Sequence, residues 1–100
     1  MKRTVSIACL ALASAAAYAG ADLAKAKNCM ACHATNSLLL GPSYKSVAER
    51  HAKDKEAVAR LAKKIREGGV GVWGQMAMPP QPQVSAAEAE ALAKWVLATK

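Results

Sequence analysis

Residues 28–35 read NCMACHAT: Cys29 and Cys32 stand three apart, with His33 directly behind the second. Three chemistries use such a grouping: a redox dithiol, half of a zinc site, and the covalent attachment of haem. A thioredoxin-like dithiol belongs to a βαβ pattern, and this chain is too short for that fold and shows no strand pattern. A closed zinc site needs four ligands, usually in two pairs. Here the only histidines are His33 and His51, and His33 adjoins Cys32, where the two can hardly face one metal. Cys-x-x-Cys-His, in contrast, is the signature of c-type haem attachment. Two thiols within one helical turn add to the two vinyl groups on one edge of the macrocycle, and the imidazole behind them projects towards the iron.

The beginning of the chain supports that choice. Lys2 and Arg3 precede an apolar run from Val5 to Ala17, and Ala17-Tyr18-Ala19 is a small-x-small cleavage site. This is the pattern of a secretory signal peptide, and a run of about 13 apolar residues falls short of the roughly 20 that a spanning helix needs. Residues 1–19 are therefore expected to be a cleaved signal and residues 20–100 a single exported domain without a membrane anchor. Cys9 leaves with the signal, so Cys29 and Cys32 are the only cysteines of the mature chain. Haem attachment of this kind takes place outside the cytoplasm, so compartment and motif agree, and the periplasm is the expected location.

The 81 residues that remain present a packing problem. There is no Phe, the aromatics are Tyr44, Trp73 and Trp95, and much of the apolar content is alanine. Domains of this size are marginal even with a good core, so composition points to something other than side chains filling the centre. Without Lys2 and Arg3, 12 basic residues face 7 acidic ones, a net charge of +5. The basic residues are mixed with acidic ones in an exported chain, which argues against nucleic-acid binding. The charge suits an acidic docking surface on a partner protein, with Lys25, Lys27, Lys45 and Lys53 as candidates to face it.

Four short amphipathic helices are predicted. Asp22 caps the first, which ends near Asn28, a residue that tolerates a left-handed backbone. The second starts near Ser43, with Tyr44, Val47, Ala48 and His51 on one face. The third starts behind Asp54, carries Val58, Leu61, Ala62 and Ile65 as its apolar stripe, and stops at Gly68-Gly69. The fourth opens with Ser85-Ala-Ala-Glu88, a capping-box pattern. Between the last two lies Gly68–Val84, with four glycines, three prolines, Trp73, Met76 and Met78. An irregular stretch of that length in a compact domain usually has a function.

If His33 ligates the iron from one side, the other side has several candidates. Met30 lies inside the attachment motif and cannot reach the far face, and His51 reads as an ordinary histidine on a helical face. Met76 and Met78 lie in the long loop, which can wrap round to the opposite side. Pro79-Pro80 stiffens the segment that holds Met78, which favours Met78, with Met76 as a packing residue against the ring.

Four stretches, CMACH (29–33), GPSYKSVA (41–48), GVWGQMAMPP (71–80) and EALAKWVL (90–97), together resemble the small monohaem class I cytochromes c of the bacterial periplasm, the cytochrome c-551/c-552 type. The resemblance implies an all-α fold of four short helices wrapped around one covalently bound haem c. It implies thioether bonds at Cys29 and Cys32, His33 and Met78 as axial ligands, and the Pro42 carbonyl as partner of the His33 ring N–H. It further implies a Trp73 indole bond to a haem propionate. Lys64 stands where the family often has an arginine near the propionates. Three departures are visible: Asn28 replaces a frequent glycine, Ala24 a frequent aromatic, and Pro80–Val84 is one residue longer. In relatives a side-chain amide in that last segment bonds the ligand methionine, which makes Gln81 and Gln83 candidates here.

Closed His/Met ligation implies an electron carrier with no site for a substrate. Its expected partners are redox proteins that meet a monomer at the exposed haem edge: a quinol-oxidising complex as donor, and nitrite reductase or a terminal oxidase as acceptor. The alternative is a haem-based small-ligand binder or weak peroxidase in which Met78 dissociates.

Overall fold

The computed structural model describes residues 20–100; the expected signal peptide and its cleavage site lie outside them. Helix α1 covers residues 20–26 and is followed by one turn of 3-10 helix at Cys29–Ala31. Then come α2 (Tyr44–Arg50), α3 (Ala57–Glu67), β1 (Gly69–Gly71), β2 (Gly74–Met78) and α4 (Ala86–Leu97).

The helices begin where side chains can satisfy the free N–H groups of a first turn. The Ser43 hydroxyl accepts from the Ser46 N–H at the start of α2. At α4 both halves of the capping box are present: Ser85 Oγ accepts from the Glu88 N–H at 3.1 Å, and Glu88 Oε1 accepts from the Ser85 N–H at 2.9 Å. Asn28, with φ of 64°, turns the chain out of α1 into the attachment turn in the left-handed conformation that Asn accepts more readily than most residues.

Two helix starts differ from expectation. Residues 20 and 21 are already helical, so Asp22 lies inside α1. At α3 the cap position belongs to Glu56, whose side chain makes no capping bond. Asp54 acts one turn earlier: its Oδ1 accepts from the Glu56 N–H, while its Oδ2 pairs with Arg60 Nε at 3.2 Å.

Helix α4 is the centre of the packing. Ala24 of α1, Val84, Ala89 and Leu92 form the buried cluster, with Leu23, Cys29, Met30, Ala62, Ile65 and Trp95 packed around it. Helices α1 and α4 approach closely at Gly20, where even a Cβ would run into the Trp95 ring. Tyr44 of α2 presses against the same ring, centroids 4.9 Å apart and edge-on.

The glycine-rich stretch is more ordered than the sequence suggests. β1 and β2 form an antiparallel hairpin with a register irregularity between Gly69 and Gly71. Gly71 and Gly74, at φ of 99° and 108°, flank its turn at Val72-Trp73. The strands escape a period-two reading because β2 is exposed on both faces until Met78, so no apolar alternation marks it. Gly68 is tightly confined: its φ is 72°, and a Cβ would strike the backbone of Met78, Pro79 and Pro80. The end of α3 is thereby packed directly on the segment that carries Met78. Among the described residues no helix is long and apolar enough to cross a membrane.

The hydrogen bond from the Ser85 N–H, with Lys27 adding to it, holds the Glu88 carboxyl below its ordinary pKa. Its contribution to stability is therefore present above the ordinary carboxylate range and is lost as pH falls through the lowered value. Acid unfolding followed by circular dichroism should show Glu88→Gln losing this part of the acid limb, with the variant's stability changing less between pH 5 and pH 3 than that of the parent.

Candidate functional site

A cavity of about 460 Å³ opens between α2, α3, α4 and the hairpin, within the range of roughly 300–1,000 Å³ common for small-molecule and cofactor sites. His33, Met76, Met78, Trp73 and Lys64 all line it. Cys29 and Cys32, just before His33, are half-buried free thiols and are not among the lining residues. Cys29 leans on the core cluster, and that burial raises its thiol pKa against the lowering effect of its backbone hydrogen bond.

His33 is held from several directions. Its Nδ1 lies 2.7 Å from the Pro42 carbonyl oxygen. A carbonyl only accepts, so Nδ1 carries the proton and Nε2 keeps its lone pair, the arrangement found in metal-ligating histidines. The loop between the two residues is tied back by Gly41 N–H to Cys32 O at 2.8 Å and by Tyr44 N–H to Ala34 O at 2.9 Å. A Cβ on Gly41 would collide with the imidazole. The Tyr44 ring stacks beside His33 at 5.6 Å, and its hydroxyl donates to Met30 Sδ at 3.6 Å. Burial, with Cys29 adding to it, pushes the Tyr44 phenol up to about 12, so it remains a neutral donor near neutrality. Met30 is thus an internal packing residue and does not offer apolar contact at the surface.

Met76 and Met78 are two apart on β2, which puts them on one face of the strand. Met76 is 64% exposed, whereas Met78 is the one half-buried residue of that strand and is paired in register with Gly69. Trp73, in the hairpin turn, lies under the Arg50 guanidinium, 4.9 Å from the ring centroid. The Lys64 side chain passes over Gly69. Gln81 donates to the Pro79 carbonyl and Gln83 to Gln81 and Lys27, so both amides bond partners other than methionine.

Sequence reasoning did not anticipate the Arg50–Trp73 stack, and no local motif signals it. It also left Leu38, Leu39 and Leu40 without a role. Leu38 and Leu40 line the cavity although they are 77% and 61% exposed, and three consecutive leucines in a loop were a visible signal. Val70 and Val72 join them at the opening.

These features fit a flat, largely apolar macrocycle with an acidic edge. The lining is mainly hydrophobic, two imidazoles (His33 and His51) and two thioethers (Met76 and Met78) share it, and Arg50, Arg60, Lys64 and the Trp73 indole supply positive charge and a donor. The architecture is that of a class I cytochrome c. The sequence profile of the Cytochrome c family matches residues 17–100. Cytochrome c-552 of Hydrogenobacter thermophilus is 47% identical over 100 residues, covering all of both chains. Cytochrome c-551 of Pseudomonas aeruginosa is 50% identical over 78% of this chain and 74% of its own. The crystal structure of cytochrome c552 from Nitrosomonas europaea superposes with a TM-score of 0.79 at 49% identity, over 80% of this chain and 99% of that one. The chain belongs to the cytochrome c family: it is a small electron carrier of the kind that holds haem c covalently.

Gly41→Ala forces a methyl group against the His33 ring. In the haem-loaded protein it should cost about 1–3 kcal/mol of stability, the usual penalty for overpacking. Guanidinium unfolding measures that loss, and a displaced resonance of the Nδ1 proton of His33 in the NMR spectrum reports the lengthened bond to Pro42.

Proposed function

We propose that this protein is a soluble, monomeric periplasmic electron carrier in which His33 and Met78 ligate one haem c iron from opposite sides. It passes electrons from a quinol-oxidising complex or another donor to a terminal acceptor such as nitrite reductase or an oxidase. The observation that carries this reading is one cavity with His33 on its wall, Nδ1 committed to Pro42, and the half-buried sulfur side chain of Met78 on the hairpin that completes the lining.

Haem c supplies the one-electron couple; the chain's own residues set its conditions. Cys29 and Cys32 serve as anchors with no redox role of their own. Met78, a neutral thioether, together with an apolar lining, favours the ferrous state and raises the potential. With His33 and Met78 both holding the iron, no coordination position would remain for a substrate, and the bound haem would supply one-electron transfer alone. Trp73 and Lys64 serve the propionates, with Arg50 above the indole. Residues 1–19 act as the export signal.

Docking centres on the cavity mouth, where Leu38, Leu39, Leu40 and Val70 offer apolar contact. The exposed Lys25, Lys45 and Lys53 steer the chain towards an acidic partner. Lys27 is withdrawn from that role by its contacts with Gln83 and Glu88.

Met78→Ala should abolish the sulfur-to-iron charge-transfer band of the ferric protein and lower its reduction potential, while Met76→Ala keeps the band; the reverse result reassigns the ligand. Carbon monoxide added to the reduced wild-type protein at neutral pH should produce no rapid spectral change. A rapid change identifies a small-ligand binder.

A further inference from the structure

The segment that follows Met78 cannot anchor itself well. Pro79, Pro80 and Pro82 have no N–H to donate, and its main-chain bonds are those from Gln81 N–H to Ile65 O and Val84 N–H to Gln81 O. Side chains take over. Gln81 Nε2 donates to the Pro79 carbonyl at 3.0 Å. Gln83 Nε2 donates to Gln81 Oε1 at 2.6 Å and reaches the Lys27 carbonyl at 3.5 Å. Lys27 Nζ donates back to the Gln83 carbonyl at 2.9 Å and stands 3.4 Å from Glu88 Oε2 in the first turn of α4.

Two residues 56 positions apart thus each bond the other's main chain. Lys27 lies two positions before Cys29, and Gln83 lies five positions after Met78. A series of hydrogen bonds runs from the Pro79 carbonyl, one residue after Met78, to Lys27 at the end of α1, two positions before the attachment turn. The Lys27 side chain is only 23% exposed and that of Glu88 33%, so the pair is partly sheltered from the screening that makes open surface pairs weak.

We infer that Lys27 and Gln83 are positioning residues for Met78: they clasp the segment behind the ligand to the attachment turn and slow the departure of the sulfur from the iron. The inference rests on Met78 as ligand. The two glutamine amides then hold the methionine through the backbone that follows it and not by bonding its sulfur.

Cyanide binding to the ferric, haem-loaded protein tests the clasp, because cyanide enters only where the sulfur has left. Lys27→Met and Gln83→Ala each leave one half of the reciprocal pair, and the double variant removes both. The double variant should bind cyanide about two- to tenfold faster, the range that corresponds to the net worth of a single ordinary hydrogen bond being transmitted to Met78, and each single variant less so. Lys27→Arg, which keeps a donor, should stay near the wild-type rate. Loss of a positive charge by itself slows an approaching anion, so an acceleration has the opposite sign to a charge effect. Lys94→Met, which breaks the exposed Lys94–Glu90 pair on α4, should leave the rate unchanged.

A double variant that binds cyanide at the wild-type rate overturns the clasp, as does an equal acceleration in Lys94→Met. Both results are read in a protein whose charge-transfer band disappears in Met78→Ala. A band that survives that substitution overturns the ligand assignment itself.

Discussion

Alanine buries little surface, and the centre of this protein is built mostly from it. Among the described residues the largest fully buried side chains are Leu92 and Val84. At about 25 cal/mol for each Å² of apolar surface, such a cluster offsets little of the conformational entropy lost on folding. What small residues do provide is proximity. Ala24, Ala89 and Ala93, with Gly20 against Trp95, let the helices draw together on one side of α4. The same face of the helix, at Ala93 and Val96, runs on into the wall of the cavity. A helix face shared between core and cavity wall stabilises the fold fully only with apolar matter against both parts. That requirement ties the stability of this cytochrome c to its prosthetic group.

The parts of the chain that carry His33 and Met78 are supported by different means. His33 sits in a short loop closed by main-chain hydrogen bonds, with Tyr44 stacked beside it. Met78 sits at the end of a hairpin largely open to solvent, followed by a proline-rich segment with few hydrogen bonds of its own. Gly68 presses the end of α3 onto that segment, and side chains complete the attachment. The histidine side of the site is local and stiff. The methionine side depends on contacts distant in sequence, which identifies it as the side more open to opening motions.

Much of this was legible in the sequence because it rests on short-range chemistry. The capping box Ser85–Glu88, the left-handed Asn28, the stop at Gly68 and the Cys-x-x-Cys-His turn each depend on a few neighbouring residues. The four helices and the family followed from them. The hairpin was not legible, because strands exposed on both faces lack alternation. The start of α3 lies two residues later than the sequence suggests, because Asp54 bonds the N–H of Glu56 and pairs with Arg60 in place of capping the helix. The meeting of the Met30 sulfur with the Tyr44 hydroxyl, 14 positions on, has no mark in the sequence either. The stacking of Arg50 on Trp73 and the Lys27–Gln83 pair join residues far apart in the chain, and single-residue types carry no signal for such meetings.

The bare hydrogen of Gly41 has a practical consequence for redesign. It lets the chain pass flush against the imidazole, so the orientation of His33 is fixed by the main chain at positions 41 and 42 and by the Tyr44 ring, while the leucine segment contributes the Leu39 N–H bond to the Gly41 carbonyl. On the function proposed above, exchanging the side chains of Leu38, Leu39 and Leu40 would alter the mouth while the main-chain support of His33 stays in place, whereas any side chain at position 41 presses on the imidazole.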